Sequence, residues 1–98
     1  MMRELGLGEF ARFIGVPAPV RDARFSGVST DSRRLARGEL FVALRGENFD
    51  GHAFVEEAVR RGAAALLCSR PVDVAVPVLL VADTQLALGR LGRCNREL

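Results

Sequence analysis

The sequence predicts an α/β domain: a small mixed, mostly parallel sheet covered by helices on both faces. Three observations point there. Leu40-Phe41-Val42-Ala43-Leu44 is apolar at both alternating positions, the pattern of a strand buried on two sides rather than one. A helical stretch and then a second apolar run, Ala63 to Cys68, come next. That strand–helix–strand order joins parallel strands by a right-handed crossover. Finally, 98 residues with 49% apolar and 27% charged side chains suit one soluble domain with its own core.

The elements follow in order. Leu7, Phe10, Ala11 and Ile14 recur at i, i+3, i+4 and i+7, with Glu9 and Arg12 opposite. This is an amphipathic helix, expected from Leu5 to Ile14 and stopped by Gly15. Val16-Pro17-Ala18-Pro19 is an extended connector, because each proline bars its predecessor from the helical region. Arg24 to Ser29 is expected as one short strand, ending in the polar turn Ser29-Thr30-Asp31-Ser32-Arg33. A glycine turn at Gly38 leads into the strand Leu40 to Leu44. The loop Gly46-Glu47-Asn48-Phe49-Asp50-Gly51 then enters a helix from His52 to Arg61, capped by Asp50. Phe54, Val55, Ala58 and Val59 make its apolar stripe. Glu56–Arg60 and Glu57–Arg61 are i, i+4 pairs in the favourable order, and Gly62 is placed to end the helix at C′. After Ala63 to Cys68 come a turn at Arg70 to Asp73 and a third apolar strand, Val78 to Ala82. Asp83 or Thr84 caps a final helix carrying Leu86, Ala87, Leu88, Leu91 and Cys94. The chain stops in or just after this helix without a polar tail, so an N-terminal piece of a longer protein is expected.

Composition removes several function classes. Net charge is only +2, and the aromatics are six Phe with no Trp or Tyr. Neither a basic DNA-binding surface nor a stacking platform for single strands fits that. All 14 basic residues are Arg; a chain without Lys has no P-loop lysine and no Schiff-base lysine. No apolar segment follows Met1-Met2-Arg3-Glu4, and the longest apolar run, Val74 to Ala82, is short and interrupted by Pro77. Neither a signal peptide nor a membrane span is expected. Cys68 and Cys94 show no metal-ligand or redox spacing. No disulfide and no metal site are expected, and reduced thiols suit the cytoplasm.

Two polar bends beside a buried strand suit a small-molecule site. In Thr30-Asp31-Ser32-Arg33, hydroxyls and a carboxylate at a strand end can bond the edge of a base or a sugar, and Arg33 can hold a phosphate. The same residues also suit an Asx or Ser turn that satisfies its own backbone. In Gly46 to His52, two glycines permit close backbone approach to a ligand, and a helix start favours an anion. A capped loop with Phe49 packed on the core accounts for that stretch equally well. His52, the sole histidine, suits a cap or surface position better than an acid–base role, and no nucleophile set can be built on it. Asp83-Thr84 is most simply a cap.

The run from Asp31 to Leu67, D-S-R-R-L-A-R-G-E-L-F-V-A-L-R-G-E-N-F-D-G-H-A-F-V-E-E-A-V-R-R-G-A-A-A-L-L, resembles the N-terminal domain of Mur ligases. These show D-S-R, then P-G-x-L-F-x-A, G-x-x-x-D-G, F and G-A-x-A in order. G-E-N-F-D-G-H with Phe54, and V-A-D-T-Q-L-A-L-G-R-L from Val81, resemble the member that adds D-alanyl-D-alanine. The resemblance covers essentially the whole chain. It implies one domain, residues 1–98, that binds the UDP end of UDP-N-acetylmuramoyl-tripeptide during peptidoglycan synthesis. Central ATP-binding and C-terminal domains would lie outside this chain; ATP and Mg²⁺ are expected only there, as is the contact with D-alanyl-D-alanine. No catalytic residue is expected in this chain. By position, the resemblance assigns Thr30, Ser32, Glu47, Asn48 and Phe49 to the uracil and ribose pocket. Asp31 and Arg33 would brace the turn; Gly46, Asp50, Gly51 and His52 would shape the loop or face the diphosphate. Arg37 stands where the family has Pro, a slight loosening of the turn. Two alternatives remain: the ligase adding the third amino acid to UDP-N-acetylmuramoyl-dipeptide, or a non-enzymatic interaction module on the same fold.

Overall fold

The computed structural model describes the backbone of residues 4–46 and 49–97, and side chains as far as Arg93. In chain order the elements are β1 (Leu5–Gly6), α1 (Leu7–Ile14), β2 (Arg24–Phe25), β3 (Val28–Ser29), β4 (Leu40–Val42), a 3₁₀ turn (Gly51–Phe54), α2 (Val55–Arg60), β5 (Ala65–Cys68), β6 (Val78–Leu80) and α3 (Thr84–Glu97). Strands β3-β4-β5-β6 form a parallel sheet in sequence order, registered Val28↔Leu40, Leu40↔Ala65 and Leu66↔Val78. The antiparallel component stands apart as a two-stranded ribbon, β1 with β2.

The expected double burial has a direct cause in alternation. Leu40 and Val42 of β4, with Ala65 and Leu67 of β5, face a cluster containing Phe10 of α1, Phe25, and Ala87 and Leu91 of α3. Phe41 and Ala43, with Leu66 and Cys68, face the other side, against Leu35 and against Val55 and Ala58 of α2. Neither face is left to water, so a strand with no polar position is stable here; burying each such Leu or Phe is worth about 1.5–3 kcal/mol. Burial also pushes the Cys68 thiol up to about 12, which leaves it protonated and inert. The β5–β6 connection lays Val72, Val74 and Val76 over the second cluster.

The ends of the elements depart from expectation for identifiable reasons. The first helix starts at Leu7, because Leu5 and Gly6 pair with Phe25 and Arg24. The N–H groups at its start are met by carboxylates, one from the helix itself and one from outside: Glu9 Oε1 accepts from Gly6 N at 3.0 Å, and Asp22 Oδ1 accepts from Gly8 N at 2.9 Å. The Gly8 N–H chiefly holds the Asp22 carboxyl below its usual range. Gly15, at φ +76°, ends the helix in the left-handed region that glycine tolerates. Arg24 to Ser29 is two strands in two sheets rather than one. The chain turns between them, with Ser26 N donating to Gly38 O at 3.1 Å and Gly27 O accepting from Leu40 N at 2.8 Å.

The helix expected from His52 begins as the 3₁₀ turn and becomes α-helical only at Val55. Among the described residues neither expected pair on it, Glu56–Arg60 or Glu57–Arg61, forms an ion pair within 4.0 Å. Glu57 is taken by Ser32, and Arg61 donates to the carbonyl of Arg33. Phe54 and Leu86 lie outside the core, both exposed. Asp83, not Thr84, caps α3, its Oδ1 accepting from Gln85 N at 3.0 Å and Leu86 N at 3.1 Å. Thr84 is buried instead and donates its hydroxyl to Ala43 O at 2.9 Å. None of the described helices is long and apolar enough to cross a membrane.

Candidate functional site

Parallel strands gather the loops at their carboxyl ends into one crevice, the usual seat of a ligand in open α/β sheets. Here the loops after β3 and β4 do so. Thr30, Asp31, Ser32 and Arg33 line one side of a cavity of about 710 Å³; Leu44, Arg45, Gly46 and Phe49 line another. Phe41 of β4 reaches it from below, and Phe54, Glu57 and Gln85 complete the wall. The two bends singled out in the sequence therefore share a single hollow. Its size falls within the range of small-molecule pockets.

The first bend is locked by its own side chains. Ser29 Oγ donates to Asp31 O at 2.8 Å and accepts from Asp31 N at 3.2 Å. Asp31 Oδ1 accepts from Arg33 N at 2.9 Å and from the Arg33 guanidinium at 3.3 Å. The Arg33 guanidinium is the main reason the Asp31 carboxyl sits below the usual carboxylate range. This stretch is an Asx-type turn, and it also lines a cavity. Ser32 is 4% exposed and donates to Glu57 Oε1 at 2.6 Å, fixing a carboxylate on the cavity wall.

The second bend closes on itself. Arg45 and Asp50 form an antiparallel bridge, Gly46 N donates to Phe49 O at 2.7 Å, and Gly51 N donates to Leu44 O at 2.7 Å. Phe49 is 48% exposed rather than packed on the core. It stacks on Phe54, with ring centroids 5.7 Å apart and planes 16° from parallel. Glu47 and Asn48 lie outside the described residues. Asp50, Gly51 and His52 stand behind the loop and are absent from the cavity wall. Asp50 Oδ1 accepts from His52 N at 3.0 Å and meets His52 Nδ1 at 2.6 Å, while Oδ2 accepts from Arg70 Nη1 at 2.7 Å. His52 is neither at the surface nor a cap: it is 5% exposed, and its Nε2 accepts from Ser69 N at 3.0 Å. A backbone N–H can only donate, so Nε2 carries a lone pair and Nδ1 carries the proton toward Asp50.

These bonds, foremost those from His52 and then Arg70, hold the Asp50 carboxyl far below its ordinary value. Asp22 is shifted the same way. An unfolded aspartate titrates near about 3.9. Above that pH both states are ionised and the stabilisation is complete. As pH falls below it, the unfolded chain takes up protons that the folded chain refuses, and stability drains away toward the folded values. The melting temperature is therefore expected to hold level between about pH 5 and 8 and to fall steeply from about pH 4 downward. Asp50→Asn should flatten part of that fall; an unchanged acid limb in the variant would contradict the assignment.

Sequence reasoning missed six wall residues: Phe41, Leu44, Arg45, Phe54, Glu57 and Gln85. Phe54 and Glu57 are spaced i, i+3, and so share a helix face. The apparent Glu57–Arg61 pair concealed that signal. Gln85 comes from a helix whose position no local pattern reveals.

Residues 24–92 match the family model described as Mur ligase family, catalytic domain. The chain is 50% identical over 76 residues to the UDP-N-acetylmuramoyl-tripeptide–D-alanyl-D-alanine ligase of Escherichia coli, covering 78% of this chain and 17% of that protein. It is 46% identical over 67 residues to the UDP-N-acetylmuramoyl-L-alanyl-D-glutamate–2,6-diaminopimelate ligase of Aquifex aeolicus, covering 68% and 14%. Among solved structures, the UDP-N-acetylmuramoylalanyl-D-glutamyl-2,6-diaminopimelate–D-alanyl-D-alanyl ligase of Acinetobacter baumannii superposes with a TM-score of 0.80 at 34% identity. That match covers 98% of this chain and 22% of the other. The chain thus spans about a fifth of the length of the proteins it matches.

Proposed function

The chain belongs to the Mur ligase family, and on that premise we propose that it holds the uridine diphosphate end of UDP-N-acetylmuramoyl-tripeptide. It does so within a longer ATP-dependent ligase that adds D-alanyl-D-alanine to a cytoplasmic peptidoglycan precursor. The observation that carries this is the single cavity shared by the two bends. Its parts suit a uridine nucleotide. The Phe49–Phe54 pair offers a flat apolar shelf for a pyrimidine. Thr30, and Ser32 through Glu57, supply oxygens for imide and ribose groups, with Glu47 and Asn48 of the loop as further contacts. Arg33 and Arg45 at the wall are cations for a diphosphate.

ATP and Mg²⁺ do not fit the residues of this chain. It has no Lys and no G-x-x-G-K-[ST] run, and the described residues hold no group of three or more potential metal ligands. On this reading phosphoryl transfer and the encounter with D-alanyl-D-alanine fall to other parts of the longer protein, and this domain supplies the hold on the nucleotide end. A second reading, the ligase that adds the third residue, has the diaminopimelate ligase relative in its favour. The match over nearly the whole chain to a D-alanyl-D-alanyl ligase favours the first.

Calorimetric titration with UDP-N-acetylmuramoyl-tripeptide tests the site. Saturable binding is expected, and Ser32→Ala should weaken it roughly tenfold by freeing the Glu57 carboxylate from its fixed position. Failure to saturate, or an unchanged affinity in Ser32→Ala, would refute the assignment. Tighter binding of the corresponding dipeptide nucleotide would instead favour the second reading. A chain that folds but binds neither nucleotide would be an interaction module.

A further inference from the structure

The loop that walls the cavity rests on the end of β4 at one side and reaches β5 through a buried side chain at the other. Its wall residues Gly46 and Phe49 flank a bend closed by one backbone bond between them, and Phe49 is half exposed. The Gly51 N to Leu44 O bond ties the loop to β4, and the buried imidazole behind it ties it to β5. His52 Nδ1 meets Asp50 at 2.6 Å on the loop side, and His52 Nε2 accepts from Ser69 N at 3.0 Å, just past the end of β5. Ser69 Oγ lies 3.4 Å from the same nitrogen, and Arg70 grips the second oxygen of Asp50 at 2.7 Å. A ring with one donor and one acceptor nitrogen spans the two elements; a protonated ring would have no acceptor for Ser69.

Resting on the uridine-nucleotide reading above, we infer that His52 is a positioning residue. In its Nδ1–H tautomer it fastens Asp50 to the carboxyl end of β5 and so sets the geometry with which Gly46 and Phe49 meet the nucleotide. It touches no ligand. It acts by pre-ordering the loop, so that binding does not bear the cost of ordering it.

Three variants separate the two arms of the clamp. His52→Asn keeps a donor at the Nδ1 position for Asp50 and loses Ser69. His52→Gln keeps an acceptor at the Nε2 position for Ser69 and loses Asp50. His52→Ala loses both. Affinity for UDP-N-acetylmuramoyl-tripeptide is measured well below each variant's melting temperature, so that every sample is folded. The alanine variant is expected to bind roughly tenfold or more weakly, and the two amide variants to fall between it and the unaltered protein. Imidazole ¹⁵N resonances of the unaltered protein should show Nδ1 protonated and Nε2 bare at neutral pH. Should His52→Ala fail to fold, the amide variants and the nitrogen resonances still decide. Equal affinity across the folded variants, with only melting temperatures changed, would overturn the inference and leave the site reading intact. So would a protonated Nε2. No saturation by the unaltered protein would overturn both.

Discussion

Gly51→Ala is expected to destabilise the domain by upward of about 3 kcal/mol, beyond the usual range for one added methyl. A Cβ built at Gly51 comes to 2.9 Å from Ala43 Cα, 2.9 Å from Leu44 N and 3.0 Å from Leu44 O. All three are backbone atoms at the end of β4, and no rotamer change moves them aside. Relief would require the loop to lift, which breaks the 2.7 Å bond from Gly51 N to Leu44 O and opens the wall of the cavity. Gly46→Ala, in the same loop, is the control. Among the described residues nothing lies within 4 Å of its Cβ, so it should cost no more than about 1 kcal/mol. Urea unfolding of both variants checks the contrast; similar midpoints would mean that the loop does not sit against β4.

Phe41→Ala is expected to cost about 3–5 kcal/mol, a large share of the roughly 5–15 kcal/mol that holds a domain of this size together. Phe41 is 1% exposed, belongs to the cluster beneath α2, and reaches the cavity from below. Its removal therefore does two things. It leaves a void that β5 and α2 cannot collapse to fill, since Leu66 and Ala58 are fixed by their own elements. It also takes away the base of the cavity. Phe41→Leu, which restores most of the volume, should recover most of the stability. Denaturant midpoints with unchanged slopes, and titration of the leucine variant, measure the two effects separately.

Most of this was legible in the chain, and the reasons are physical. Leu40 to Ala43 announced its burial because both faces of the strand are covered, and burial on two sides leaves no polar position. Leu7, Phe10 and Ala11 announced α1 because one face only meets the core. The two bends were legible as polar clusters at strand ends. What stayed hidden depends on partners distant in sequence. Leu5 and Gly6 joined a ribbon because Arg24 and Phe25 were there to pair with them. Glu57 deserted its helical neighbour for Ser32, 25 residues away. His52 looked like a surface or capping residue until Ser69 was brought to it from 17 residues on. Local pattern fixes the elements; the polar contacts that shape the cavity are made between them.

The buried hydroxyl of Thr84 has one more consequence. Ala43 donates its N–H to Leu67 O at 3.0 Å and offers its own carbonyl to Thr84 Oγ1 at 2.9 Å. The first residue of the 14-residue helix is thus tethered to the peptide ladder one residue short of the cleft, with Gln85 beside it on the cleft wall. That bond pins the start of the helix to the sheet and so fixes where Gln85 stands on the cleft wall.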